Sequence, residues 1–146
     1  MKDFSLSILE RLLSALKDNL RDFLPLKESN SEISRFVILR HDVDLKPENS
    51  LATAKLEHSI GIKGTYFFRI IPQTLKPDII KEIADLGHEI GYHYEDMDLV
   101  HADNLDNHID LAYDSFQKNL ENLREIVPIN TICMHGSPRA KYDNKI

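Results

Sequence analysis

The chain has 146 residues, of which 42% are hydrophobic and 29% charged, and its formal net charge at pH 7 is −6. This length and composition indicate one soluble globular domain that is large enough for a real core. The negative charge argues against nucleic acid or an anionic membrane surface as the main partner, and no segment approaches the ~18 apolar residues of a membrane span. The single cysteine, Cys133, excludes an intrachain disulfide, and the first ten residues lack the apolar stretch of a signal peptide, so we expect a cytoplasmic protein.

Residues 1–34 are predicted to form an N-terminal helix followed by a loop. Apolar side chains recur every three or four positions from Phe4 to Leu24, which is typical of an amphipathic helix, and Pro25 ends the pattern. The polar stretch from Lys27 to Ser34 is expected to be the loop. Residues 35–146 are then expected to form a single α/β unit.

Residues 35–146 alternate predicted strands with predicted helices. The strands are expected at 36–39, 65–70, 89–92 and 129–134, where apolar, aromatic and β-branched residues cluster. The intervening helices are expected to run from Pro47 to Gly61, from Pro77 to Gly87 and from Leu105 to Val127. This order predicts an α/β fold of about four parallel strands, joined by right-handed crossovers and preceded by a helix.

Three polar clusters come where predicted strands end. They are Arg40–Asp44 (RHDVD), His93–Asp96 (HYED) and His135–Pro138 (HGSP). Carboxylates and imidazoles at the C-terminal ends of neighbouring parallel strands form metal and catalytic sites in α/β proteins. The clusters therefore predict a metal-dependent hydrolase.

The first cluster contains two carboxylates, Asp42 and Asp44, that would be costly to bury without a cation or a hydrogen-bond donor. One of them could hold a metal while the other takes a proton from water. The alternative is that one of them caps the helix that begins near Pro47.

The histidines are expected to differ in role according to position. His93 is predicted at the same edge of the sheet as Asp44, where it could be a metal ligand. His88 is five residues earlier, so an extended strand places it at the other end and on the opposite face, where we expect a structural role. His135 could face a substrate or be a loop histidine without a partner. The remaining histidines are expected to face solvent: His58, His101 and His108.

Two further residues are candidates for substrate binding. Arg69 ends the second predicted strand and could bind an anionic or hydroxylated group, although a surface ion pair is the alternative. Ser137 belongs to the turn after His135, which could present backbone amides to a substrate. One aspartate and two histidines with open positions on the ion are a common catalytic set for Zn²⁺ or Fe²⁺, and with Asp42 as base this set suits hydrolysis of an amide or ester.

Two segments, Leu39–Asp44 (LRHDVD) and Gly87–His93 (GHEIGYH), resemble the first two motifs of polysaccharide deacetylases of the NodB-homology type. Gly61–Phe68 (GIKGTYFF) and Met134–Pro138 (MHGSP) make the chain look most like a divergent branch linked to surface-polysaccharide biosynthesis. The resemblance covers roughly residues 35–144. It implies a deformed (β/α)₇ barrel that removes N- or O-acetyl groups from a carbohydrate with a divalent metal, for which zinc is the expected ion.

By match to these motifs, Asp42 would be the general base, and Asp44 and His93 would be metal ligands. Family members usually carry another histidine four residues after the one matched by His93, where this chain has Met97. His135 is therefore the candidate third ligand, on position alone. The later family motifs have no counterpart before Ile146, so the resemblance implies a C-terminally truncated member that self-associates or lacks a C-terminal half.

Two other classes of function compete with the deacetylase reading. The chain could be a catalytically inactive remnant, or a subunit of a split deacetylase that is stable only with a partner or as a half-barrel dimer. A less favoured alternative is a glycosyltransferase, because Asp42-Val43-Asp44 also fits a D-x-D metal–nucleotide motif. That motif normally follows a nucleotide-binding βαβ unit, and only a helix and a loop precede it here.

Overall fold

A computed structural model describes residues 5–19, 22–30, 32, 35–136 and 144. It confirms a mixed α/β chain with parallel strands and an N-terminal helix. The helices are Leu6–Asp18 (α1), Pro47–Ser59 (α2), Pro77–Asp85 (α3), Asp96–Leu99 (α4) and Leu105–Arg124 (α5). The strands are Asp22–Phe23 (β1), Phe36–Val37 (β2), Arg40–Val43 (β3), Thr65–Phe68 (β4), Glu89–Tyr94 (β5) and Ile132–Met134 (β6).

The main sheet has four parallel strands in the order β3-β4-β5-β6, which is also their order along the chain. Its register aligns Val43 with Phe68, Phe68 with Tyr92, and Tyr92 with Ile132. A separate two-stranded parallel sheet joins β1 to β2. Of the helices in the described ranges, none combines the length and apolar character that crossing a bilayer requires.

One face of the main sheet carries the hydrophobic core. Alternate side chains of β3, β4 and β5 point to this face and are buried against α2, α3 and α5, as strand periodicity requires. The cluster contains these residues from the strands and helices: Val43, Tyr66, Phe68, Ile90, Tyr92, Ala54, Ile80, Ile83, Leu120 and Leu123. The helices that connect the strands of the main sheet therefore pack on the same side of it.

The ends of α2 and α3 lie close to the positions predicted from proline and glycine. Pro47 and Pro77 are each the first residue of a helix, where a missing N–H costs nothing. Gly61 and Gly87 follow the helix ends with φ of 70° and 90°, a backbone conformation that glycine adopts without strain. Both turns then lead directly into the next strand.

The opposite face of the main sheet is concave and largely polar. Asp42 on β3, Phe67 on β4 and Gly91 on β5 are aligned across this face. Three strand spacings of about 4.8 Å would separate the outer strands of a flat sheet by roughly 14 Å. His135 follows β6 and Asp44 follows β3, yet their side chains approach to 3.3 Å, so the sheet curves toward this face.

A buried carboxylate closes the N-terminal end of the concave face. Glu89 is 4% exposed and accepts hydrogen bonds from the hydroxyls of Thr65 and Thr131 and from the backbone N–H of Lys27. The turn Leu26–Glu28 is thereby fixed under the strands. Three donors compensate the cost of burying this charge.

Several predicted elements were wrong in their extent. The strand expected at 65–70 is Thr65–Phe68, and the strand expected at 129–134 is Ile132–Met134. The first helix was expected to reach Leu24, but it ends at Asp18, where the Asn19 side chain donates to the Ala15 carbonyl and closes the last turn. The first strand of the main sheet was expected at 36–39, but it is Arg40–Val43. Its residues alternate between the polar concave face and the core, so a polar sequence forms a strand here.

Candidate metal centre

The side chains of Asp44, His93 and His135 converge at the C-terminal edge of the concave face. Asp44 follows β3, His93 is the fifth residue of β5, and His135 follows β6. One ligand atom from each lies within 4.8 Å of the others. Asp44 Oδ1 is 3.7 Å from His93 Nε2 and 3.3 Å from His135 Nδ1, and the two histidine nitrogens are 3.1 Å apart. Their convergence confirms the predicted meeting of these three residues at one edge.

His93 is held in the orientation that a metal ligand needs. Its Nδ1–H donates to the Cys133 carbonyl at 3.0 Å, so the Nε2 lone pair faces the cluster, where His135 Nδ1 lies at hydrogen-bond distance, 3.1 Å. The residue is 2% exposed, and burial lowers the pKa of His93, so the neutral imidazole is favoured. A neutral imidazole with its second nitrogen fixed by a backbone carbonyl is the usual state of a metal-binding histidine.

Asp44 supplies the anionic atom of the cluster. Its Oδ1 is buried and makes no hydrogen bond among the described residues, although the side chain as a whole is 47% exposed. A buried carboxylate oxygen without a donor is costly, and a cation would compensate it. One carboxylate and two imidazoles with positions left open fit Zn²⁺. The cluster can therefore hold a metal ion.

Asp42 lies beside this cluster but is bound by a neighbouring arginine. Arg40 Nε and Nη2 each donate to one carboxylate oxygen of Asp42, both at 2.8 Å. Asp42 Oδ2 is also 3.8 Å from His93 Nε2. Arg40 and Asp42 are two residues apart on one strand, so both point to the concave face. The sequence prediction gave Arg40 no role, because it placed the first strand of the main sheet at 36–39, before Arg40.

Arg69 lies at the predicted edge, in a largely buried ion pair. Its Nε and Nη2 donate to Glu95 at 2.7 and 2.6 Å, and its Nη1 donates to the Asp44 carbonyl at 3.2 Å. Substrate binding by Arg69 remains a prediction. The second candidate for that role, Ser137, lies outside the described residues.

His88 has the structural role that was predicted for it. Its Nδ1 accepts from the Gly64 N–H and its Nε2 donates to the Ala54 carbonyl, both at 3.0 Å. Burial lowers the pKa of His88, which agrees with this neutral tautomer. His88 therefore ties α2 to the sheet on the face opposite His93.

The prediction that His108 faces solvent was wrong. It is 1% exposed, and its Nε2 donates to the Met97 carbonyl at 2.8 Å. The short helix α4, which the sequence did not indicate, packs against α5 and covers this position. His58 and His101 are exposed, as expected.

A buried glutamate on α2 was missed by sequence reasoning. Glu57 is fully buried and accepts hydrogen bonds at 2.8 Å from His41 Nε2 and from the Tyr66 hydroxyl. The His41 ring stacks on Tyr66, so it points away from the metal centre although it adjoins Asp42 in the chain. No sequence signal marks Glu57, because on an isolated helix it resembles any solvated acid.

No family model, no curated protein and no solved structure matches this chain in the three comparisons made.

Proposed function

We propose that this chain is a metal-dependent hydrolase that removes acetyl groups from a carbohydrate, with a zinc ion held by Asp44, His93 and His135. The observation that carries the proposal is the convergence of these three side chains, with His93 Nε2 turned toward the cluster and Asp44 Oδ1 buried without a hydrogen-bond partner among the described residues. The carbohydrate class rests on the motif resemblance of Leu39–Asp44 and Gly87–His93 to polysaccharide deacetylases.

In this proposal Asp42 is the general base. A divalent ion in the adjacent cluster would polarise the acyl carbonyl and make water a better nucleophile at neutral pH. Asp42 would accept the proton of that water, because its Oδ2 is 3.8 Å from His93 Nε2 and so borders the cluster. Arg40 binds both oxygens of Asp42 and would fix the carboxylate in one orientation.

The arrangement of the sheet supports a barrel-like architecture for the proposed enzyme. Strand order follows chain order, the connecting helices pack on one face, and the other face is concave and polar. A doubly wound sheet would have a reversal of strand order and helices on both faces. Parallel strands in sequential order, with the connecting helices on one face, are the pattern of a (β/α) barrel.

Acetate release by the full chain loaded with Zn²⁺ tests this proposal. The substrates would be N-acetylglucosamine oligomers and an O-acetylated xylan. We expect release by the wild type and a loss of at least about a hundredfold in Asp42→Asn, the scale of a general base, with zinc still bound. The matched control is Asp114→Asn at an exposed position of α5, which should leave the rate unchanged.

Two outcomes would contradict the proposal in different ways. Zinc binding without acetate release from any substrate would favour the inactive remnant or the split subunit. Equal rates in wild type and Asp42→Asn would remove Asp42 from the chemistry.

A further inference from the structure

The C-terminal ends of three adjacent strands are joined by one guanidinium. Asp44 follows β3, Arg69 follows β4, and Glu95 follows β5. Arg69 donates twice to Glu95, at 2.7 and 2.6 Å, and once to the Asp44 backbone carbonyl, at 3.2 Å. In the part of the chain that the structure describes, sheet pairing does not hold Asp44, because the register of β3 with β4 ends at Val43 and Phe68.

The arginine that makes this connection is itself tightly held. The side chains of Arg69 and Glu95 are 17% and 7% exposed, so solvent screens their interaction only weakly. The Arg69 carbonyl accepts from the hydroxyl of Thr74, which is fully buried. Among the described residues, three of the five N–H groups of the guanidinium donate hydrogen bonds.

We infer that Arg69 and Glu95 are positioning residues for the metal centre, because they fix the backbone of Asp44 so that its carboxylate meets His93 and His135. The inference rests on the metal site of the proposed function and not on the hydrolytic step. Outer-shell partners that orient a ligand typically contribute ten- to a hundredfold in metal affinity.

Charge and positioning predict opposite effects for the loss of Arg69. Removing a cation that stands beside a cation site should strengthen metal binding if electrostatics alone decides the affinity. Releasing the Asp44 carbonyl should weaken binding if Arg69 acts through geometry. Glu95 has a related function, because its carboxylate pairs with the Arg69 guanidinium and holds it in place beside the candidate metal site.

The test measures Co²⁺ affinity of the full chain by calorimetry, together with the visible absorption of the bound ion, which reports its coordination. We expect Arg69→Gln and Glu95→Gln each to bind Co²⁺ about tenfold or more weakly, with an altered spectrum because Asp44 no longer holds its position. Arg69→Lys keeps the charge but not the planar fork, so it should not restore the affinity. The control is Lys55→Gln, which breaks the exposed Lys55–Glu82 pair and should bind as the wild type does.

The possible results separate the inference from the proposed function. Wild-type affinity or tighter binding in Arg69→Gln would overturn the positioning role while leaving the metal site intact. A wild type that does not bind Co²⁺ would overturn the metal site and the inference with it. If Arg69→Gln does not fold, Arg69→Lys decides, because it keeps the charge and loses the planar fork, and wild-type affinity in this variant would overturn the positioning role. Loss of folding in both variants would assign Arg69 to stability alone.

Discussion

Asp44 Oδ1 is a buried carboxylate oxygen with no hydrogen-bond donor among the described residues. Asp44→Asn should therefore leave the free energy of unfolding of the metal-free protein equal or higher, since a neutral amide is less costly there. The same change should lower zinc affinity by more than the ten- to hundredfold that loss of an outer-shell partner costs. Thermal melts with zinc and with a chelator measure both effects.

The wild type provides the reference for this experiment. Zinc at a hundred times the wild-type dissociation constant should stabilise the wild type by about 2.7 kcal/mol and should stabilise Asp44→Asn by less than about 0.4 kcal/mol. Equal stabilisation of the two proteins by zinc would contradict a ligand role for Asp44.

His88 predicts a pH dependence of stability that does not involve the metal centre. Burial lowers the pKa of His88 in the folded protein, whereas the unfolded chain has the ordinary value of about 6.5. The contribution of neutral His88 to the free energy of unfolding is fully present above pH 6.5. It is lost as the pH falls from there to the folded-state pKa, because the unfolded chain binds the proton first. Urea unfolding at pH 7 and pH 5 should show a smaller loss of stability in His88→Gln than in the wild type.

Burial also lowers the pKa of His93, so part of the pH dependence should remain in His88→Gln as well as in the wild type. The control variant is His58→Gln, because His58 is exposed on the same helix side of the fold. An equal loss of stability between pH 7 and pH 5 in wild type and His88→Gln would show that His88 does not carry the effect.

The sequence predicted which residues would meet at the site but not how their partners would hold them. Asp44 and His93 could be predicted because catalytic and metal-binding residues of α/β proteins lie at the C-terminal ends of parallel strands. The pairing of Arg40 with Asp42 depends on a strand that the sequence placed at 36–39. The pairing of Arg69 with Glu95 joins two strand ends 26 residues apart, and no local pattern reports such a contact.

At the scale of elements, helices with capping signals were predicted well and the polar strand was not. Pro47 and Gly61 bracket α2 because proline lacks the N–H that a first turn does not need and glycine accepts positive φ. β3 has no such signal, since its sequence is polar except for Val43. Pairing with β4 and the position beside the concave face determine the structure of β3. A short stretch of sequence indicates neither of them.

Gly91 determines how closely β4 and β5 pack on the concave face. The Phe67 ring is fully buried over Gly91, and a Cβ at this position would overlap the ring. Gly91→Ala should therefore lower the free energy of unfolding by about 1–3 kcal/mol, the usual range for overpacking. Chemical denaturation monitored by circular dichroism measures the change.

The matched glycine is Gly136, where an added Cβ would lie 4.0 Å from Met134 Cε, its nearest neighbour among the described residues. Gly136→Ala should leave stability nearly unchanged. Equal stabilities of Gly91→Ala and the wild type would mean that Phe67 can move away from β5 at little cost.

At the scale of the whole molecule, curvature of the sheet creates the site. Asp44 and His135 follow the first and last strands of the main sheet, and they meet only because the sheet is concave. The sequence predicted parallel strands from their alternation with helices, but curvature depends on packing across all four strands. The barrel and deacetylase expectations from the sequence motifs remain proposals that the site chemistry must test.

X-ray absorption at the zinc edge tests the central claim most directly, because it identifies the atoms that bind the ion. We predict one zinc per chain, two imidazole ligands near 2.0–2.1 Å, further oxygen or nitrogen ligands and no sulfur, although Cys133 is next to His93 across the sheet. The imidazole signal should disappear in a His93→Gln, His135→Gln double variant. A sulfur ligand near 2.3 Å, or an imidazole signal that survives in the double variant, would contradict this account.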